Sequence, residues 1–271
     1  MTNPTQKKVL VTKQPLWNIV FDEQRFLVDH TGHPIAELST FGVTKSNQMY
    51  CFPGIGMVGI QFASGGGDAK AYCYGVLLKP DHIHAETIQT GYFARLYPGQ
   101  FSRLFGISTS EISPYGIPLE DIVPVKSYIE QIAQAKSLDE FQTLFCRMTS
   151  EIHAARSHDD LHEQVMDYMV RSILRDGGES SVDSLIEQTG YSRRQISNLF
   201  HHHVGTTIKQ LCSHVRFQRA MQACLAGTEN LSFIASEFGY YDQSHFNREF
   251  RSFSSMSPRE LQSLVFYENC T

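Results

Sequence analysis

The chain has 271 residues, 41% hydrophobic and 19% charged, a composition that supports packed cores and excludes a disordered chain. At roughly 100–200 residues per domain, this length predicts two domains. The net charge is −5, which excludes a uniformly basic surface. No apolar run reaches the roughly 18 residues of a membrane span.

Six scattered cysteines (Cys51, Cys73, Cys146, Cys212, Cys224, Cys270) show no CxxC spacing. They predict reduced thiols rather than a disulfide or zinc framework. The first 14 residues lack the apolar run of a signal peptide, so a cytoplasmic protein is expected.

Residues 1 to about 120 are rich in Gly, Pro and β-formers. Short alternating runs at 9–14, 18–24, 25–30, 57–63, 72–79 and 86–98 read as strands, with a turn at His30–Pro34. Many short strands with turn punctuation predict a small barrel or sandwich-like domain. Its aromatics (Tyr50, Phe52, Phe62, Tyr72, Tyr74, Tyr92, Phe93) either fill a core or line a site for a small apolar molecule.

His82 and His84 lie two apart on a strand and, with His30 or His33 and Glu86, could form a metal set. The commoner reading is surface histidines near a turn, and no metal or cofactor is expected. Gly65–Gly67 is not followed by a Lys-Ser/Thr helix, so it reads as a hairpin loop rather than a phosphate cradle. A short helix at Phe101, Leu104 and Phe105 stops at Gly106.

Two helices then connect to the rest. Val125, Tyr128, Ile129 and Ile132 face inward on the first. Ser137 caps the second, with Glu140 completing a capping box. Phe141, Leu144, Phe145, Met148 and Ile152 form a stripe that packs on its own domain or pairs with a second copy. Residues 155–162 are the linker. The helix after it, to Gly177–Gly178, buries Val165, Tyr168, Met169 and Ile173.

The C-terminal third repeats one pattern twice. At 182–205, Val182, Leu185 and Ile186 face inward and Gly190–Tyr191 make a turn. Ser192 caps a second helix whose Ile196, Leu199 and Phe200 are buried, and Gly205 stops it. At 231–253, Ile234, Ala235 and Phe238 precede Gly239, and Phe246, Phe250 and Phe253 share one face of the next helix. A long helix over 206–227 joins the two units. Each unit has the parts of a helix-turn-helix. Residues 165–265 carry ten basic and ten acidic side chains, so modest non-specific affinity for DNA is expected.

The run Ile234-Ala235, Gly239-Tyr240, Asp242, Ser244-His245-Phe246, Arg248, Phe250 and Ser257-Pro258 resembles the second helix-turn-helix of the AraC/XylS family of transcription regulators. Residues 182–205 resemble the first, and 91–121 resembles the sensor-like domain of a subset of the family. Four positions depart from the pattern: Ile186 for Ala, Asn198 for Arg, Ser254 for Phe and Ser255 for Gly. The last two predict a loose or shifted helix end, with Phe253 supplying the lost apolar contact.

The resemblance implies an α+β protein with an N-terminal β-rich sensing or oligomerisation domain over 1–160 and a DNA-binding domain over 161–271. It implies base reading by Arg194, Ser197 and Asn198 from the first unit and by Gln243, Ser244, Asn247 and Arg248 from the second. Arg193, His201 and Arg251 are expected on phosphates. His245 is expected to hydrogen-bond the turn rather than DNA. The expected partners are double-stranded DNA, RNA polymerase, a small-molecule effector and a second copy of the chain, and the expected role is that of an activator. An enzyme carrying an appended DNA-binding module is disfavoured by the absence of a cysteine cluster or Pro-Cys-His motif. A helix-turn-helix that has lost DNA binding is the remaining alternative.

Overall fold

The structure is a computed structural model that describes residues 21–26, 35–41, 49–52, 56–63, 69–84, 91–156, 160–226 and 230–268. The first strand expected, 9–14, lies outside them, as do His30, His33, Glu86 and Gly65–Gly67.

Eight strands are β1 (Phe21–Phe26), β2 (Ile35–Phe41), β3 (Met49–Phe52), β4 (Gly59–Ala63), β5 (Lys70–Tyr74), β6 (Asp81–His84), β7 (Gly91–Leu96) and β8 (Ile117–Pro118). Six form one antiparallel sheet in the order β1-β2-β7-β4-β5-β8, and β3 pairs with β6 separately. β2, β3 and β8 have no counterpart among the strands expected from the sequence.

The β-rich domain is present, but its main sheet is open, with β1 and β8 at its edges. It does not close into a barrel. The strand carrying His82 and His84 forms, and no metal-capable cluster occurs among the described residues.

β7 is the central strand, and its alternation assigns its two faces. Tyr92, Ala94 and Leu96 join Ile60, Phe62, Ile35 and Leu38 in one core. Two helices cover that core, α2 (Lys126–Ile132) and α3 (Leu138–Ala154). Phe141 stacks on Tyr92 at 4.7 Å, and Phe62 meets Phe141 and Phe145 edge-on at 5.7 and 6.0 Å. Phe62 and Tyr92 are therefore core residues, and the α3 stripe packs on its own sheet.

The opposite face of β7 buries Arg95, which pairs with Glu37 of β2 at 2.7 Å. Burial lowers the Arg95 pKa to about 10 against the pull of Glu37. Burial also raises that of Glu37, against the opposing effects of Arg95 and Ser39. An ion pair so enclosed adds little net stability, because the cost of desolvating both charges offsets their attraction.

The expected cap on α3 holds in altered form. Ser137 accepts from the Glu140 amide, but the Glu140 carboxylate returns to the Lys136 amide rather than to that of Ser137.

α1 (Gln100–Phe105) follows β7 and ends at Gly106, whose φ is 71°. The remaining helices are α4 (Asp160–Arg175), α5 (Val182–Glu187), α6 (Arg193–Val204), α7 (Ile208–Ala226), α8 (Leu231–Glu237), α9 (Gln243–Ser254) and α10 (Pro258–Glu268). α4 buries Met166, Met169, Val170 and Ile173 and leaves Tyr168 41% exposed, so its inward face is rotated from the expected one.

α7 is shared between two cores. Ile208, Leu211, Cys212 and Val215 belong to the core of α4–α6. Phe217, Ala220, Met221 and Cys224 belong to that of α8 and α9. No helix among the described residues is long and apolar enough to cross a membrane.

Candidate nucleic-acid interface

Local chemistry sets the first unit. The Ser181 hydroxyl accepts from the Ser184 amide at the start of α5. Gly190, with φ 73°, makes the turn. Ser192 then opens α6 with a full capping box: its hydroxyl accepts from the Gln195 amide, and its own amide donates to Gln195 Oε1. Ile196, Phe200 and Val204 are buried behind α6. Arg193, Arg194, Ser197, Asn198 and His201 are exposed on its other side.

The second unit is built the same way. Asn230 caps α8 by accepting from the Phe233 amide at 2.8 Å. Asp242 caps α9 by accepting from the His245 amide at 2.6 Å. Phe246 and Phe250 are fully buried and Phe253 nearly so. Gln243, Ser244, Arg248 and Arg251 are exposed, and Asn247 is half-buried. In both helices the outward polar residues recur three and four apart, so each presents one continuous stripe.

Some of these side chains have protein partners. Arg193 pairs with Asp183 of α5 across the turn. Gln243 Oε1 accepts from Ser232 of α8 at 3.1 Å. Arg251 lies 3.8 Å from Glu260. Among the described residues no ion pair engages Arg194 or Arg248. His245 accepts from the Tyr241 amide at 3.4 Å and sits 3.7 Å from Glu249, which makes it part of the turn.

Sequence reasoning missed the brace between the units. Arg216, on α7, donates to the Gly178 carbonyl at 3.2 Å and lies 3.8 Å from Glu249 of α9. The two lie 33 positions apart on different helices, so no local pattern pairs them. Their pairing needs the fold. Tyr241, 93% exposed beside the start of α9, was also passed over.

The C-terminal end of α9 shows what the two unusual serines do. Ser255 has φ 62°, the sole positive value at a non-glycine among the described residues. Its amide donates to the Arg251 carbonyl at 2.9 Å. Ser254 is buried and donates to the Phe250 carbonyl at 2.8 Å. Phe253 packs on Phe217 at 5.0 Å. The helix nonetheless runs to Ser254 and ends in an ordinary left-handed cap.

A family model described as a helix-turn-helix domain matches residues 185–263. No curated protein matches the chain. Among solved structures, an AraC-type transcriptional regulator from Chromobacterium violaceum is 24% identical, covering 38% of this chain and 93% of that one, with a TM-score of 0.36. A ligand-free ToxT variant from Vibrio cholerae is 12% identical over 87% of this chain and 99% of that one, with a TM-score of 0.45. Wild-type ToxT bound to an unsaturated fatty acid is 14% identical over 87% and 97%, with a TM-score of 0.40. With two capped helix pairs in place and the family model reaching across both, residues 185–263 of this chain are a helix-turn-helix domain.

Proposed function

We propose that this chain is a sequence-specific transcription regulator in which α6 and α9 enter successive major grooves on one side of the duplex. The observation that carries this reading is the repeated build of the two units. Each sets an exposed polar stripe on a buried aromatic and aliphatic face, and α7 joins them with Arg216 as a brace. Arg194, Ser197 and Asn198 read bases from α6. Gln243, Ser244, Asn247 and Arg248 read them from α9. Arg, Asn and Gln suit this because their planar edges pair bidentately with purines. Arg193, His201 and Arg251 hold phosphates, with Arg193 and Arg251 exchanging their present carboxylate partners for the backbone.

The working division places a sensing domain in residues 1–160 and the DNA-binding domain in 161–271. Activation, contact with RNA polymerase, response to a small molecule and dimerisation complete the proposal, on the strength of the family resemblance. With its stripe occupied by the sheet core, α3 leaves dimerisation to another surface.

The test is selection of random duplexes by the purified chain, with Arg194→Ala and Arg248→Ala in parallel. Two enriched patches about one helical turn (~10 bp) apart are expected. Each variant relaxes a different patch, with a loss of about 1–3 kcal/mol of discrimination at the affected base. No enrichment at low salt would refute base reading.

A further inference from the structure

The two recognition helices end differently. An α-helix leaves its last four carbonyls without intrahelical donors. In α9 the helix end is closed from within its own unit, by the Ser255 amide and the Ser254 hydroxyl. α6 has the same kind of cap, the Gly205 amide on the His201 carbonyl at 2.9 Å, but its next two carbonyls are closed by the N-terminal domain, from residues more than ninety positions earlier in the chain. Thr109, in a 3-10 turn (Thr109–Glu111), donates its hydroxyl to the His203 carbonyl at 2.6 Å. Ser108 donates to the His202 carbonyl at 3.3 Å. Ser102, on α1, bonds the His203 ring at 2.7 Å.

All three hydroxyl-bearing residues are buried, at 5% exposure or less, so each hydroxyl is shielded from competing water. Gly205, just past α6, has φ 79°. A Cβ there would come within 2.8 Å of Thr109 Cγ2 and 3.2 Å of Val76 Cγ2, so the two domains touch closely at this point. α1 is itself held from the other side. The Arg103 carbonyl accepts from Arg156, and Glu163 of α4 lies 3.7 Å from Arg103 and 3.4 Å from Arg156.

These contacts reach the C-terminal end of α6 and leave Arg194, Ser197, Asn198 and His201 exposed. The contact therefore aims the helix and does not cover its reading face. We propose that Ser108 and Thr109 are positioning residues for DNA recognition: they set the angle of α6, and through them the N-terminal domain controls reading by the first unit but not by the second. This rests on the reading of α6 as a base-contacting helix.

The test uses the full chain and selection of random duplexes, with Arg194→Ala and Arg248→Ala defining which patch each helix reads. Thr109→Val keeps the side-chain shape and removes the donor. Thr109→Ser keeps the donor and removes the methyl. Thr109→Val is expected to reduce enrichment of the Arg194-dependent patch about fivefold, the size of one net hydrogen bond. The Arg248-dependent patch stays unchanged, and Thr109→Ser retains both. Thermal unfolding is followed alongside, because a merely structural role lowers both patches in step with the melting temperature. A parallel loss of both patches, no loss of either, or equal behaviour of the Val and Ser variants would overturn the proposal. If the unmodified chain enriches no DNA, base reading itself fails and this inference falls with it. If it enriches two patches that Thr109→Val leaves alone, only this inference falls.

Discussion

His214 should make the fold acid-sensitive well above the carboxylate range. It is fully buried on α7, and its Nε2 accepts from the Gly56 amide at 2.8 Å. The Gln218 side-chain nitrogen lies 2.7 Å from the same atom, and the rings of Phe217 and Phe253 stand 6.0 and 5.3 Å away. A proton on Nε2 would face two N–H donors in an apolar enclosure. Burial accordingly pushes the pKa of His214 down to about 3. In the unfolded chain a histidine titrates near ~6.5. Between these values the unfolded state binds more protons than the folded one, so stability falls as pH falls, by about 1.4 kcal/mol per pH unit. From pH 7 to 5 that integrates to ~2 kcal/mol, a sizeable part of the ~5–15 kcal/mol that holds a typical domain folded. The assay is urea unfolding of the unmodified chain and of His214→Gln across pH 7, 6 and 5. The variant has a constant offset from its altered packing, and the pH slope carries the result. The unmodified chain should lose ~2 kcal/mol more than the variant between pH 7 and 5. Parallel curves would show that His214 does not stay neutral in the fold and would refute the argument.

Two further outcomes concern the second unit. Ser255→Gly should raise stability by about 0.5–1 kcal/mol, because the left-handed backbone strain exceeds the extra freedom glycine gains when unfolded. A higher urea midpoint at unchanged m-value checks it. Phe250→Ala should cost about 3–5 kcal/mol, since Phe250 is fully buried between Phe217 at 5.0 Å and Phe246 at 5.5 Å. Denaturant unfolding followed by circular dichroism measures the loss.

The helices were the part most legible in the sequence. Ile196 with Phe200, and Phe246 with Phe250 and Phe253, mark buried faces through a period that chain neighbours impose on one another. Ser192 and Asp242 begin their helices through hydrogen bonds spanning three residues. The paired helix-turn-helix could therefore be read without any tertiary information. Other features could not. α4 turned its face by about one residue position because Met166 and Val170 found the better-packed core, and periodicity alone does not decide between adjacent faces. Ser255 accepted a glycine-like backbone because the cap bond to Arg251 requires it.

The sequence by itself determined where α6 and α9 start, which of their faces are apolar and that two alike units lie in tandem, since each rests on interactions within a few residues. Only the tertiary structure decided that β7 lies between β2 and β4 in an open sheet, that Arg216 braces α9, and that α6 is capped from Ser108 and Thr109. Those contacts join residues tens of positions apart, and the chain's local pattern holds no record of which distant group will arrive to satisfy a strand edge, a buried charge or a helix's last carbonyls.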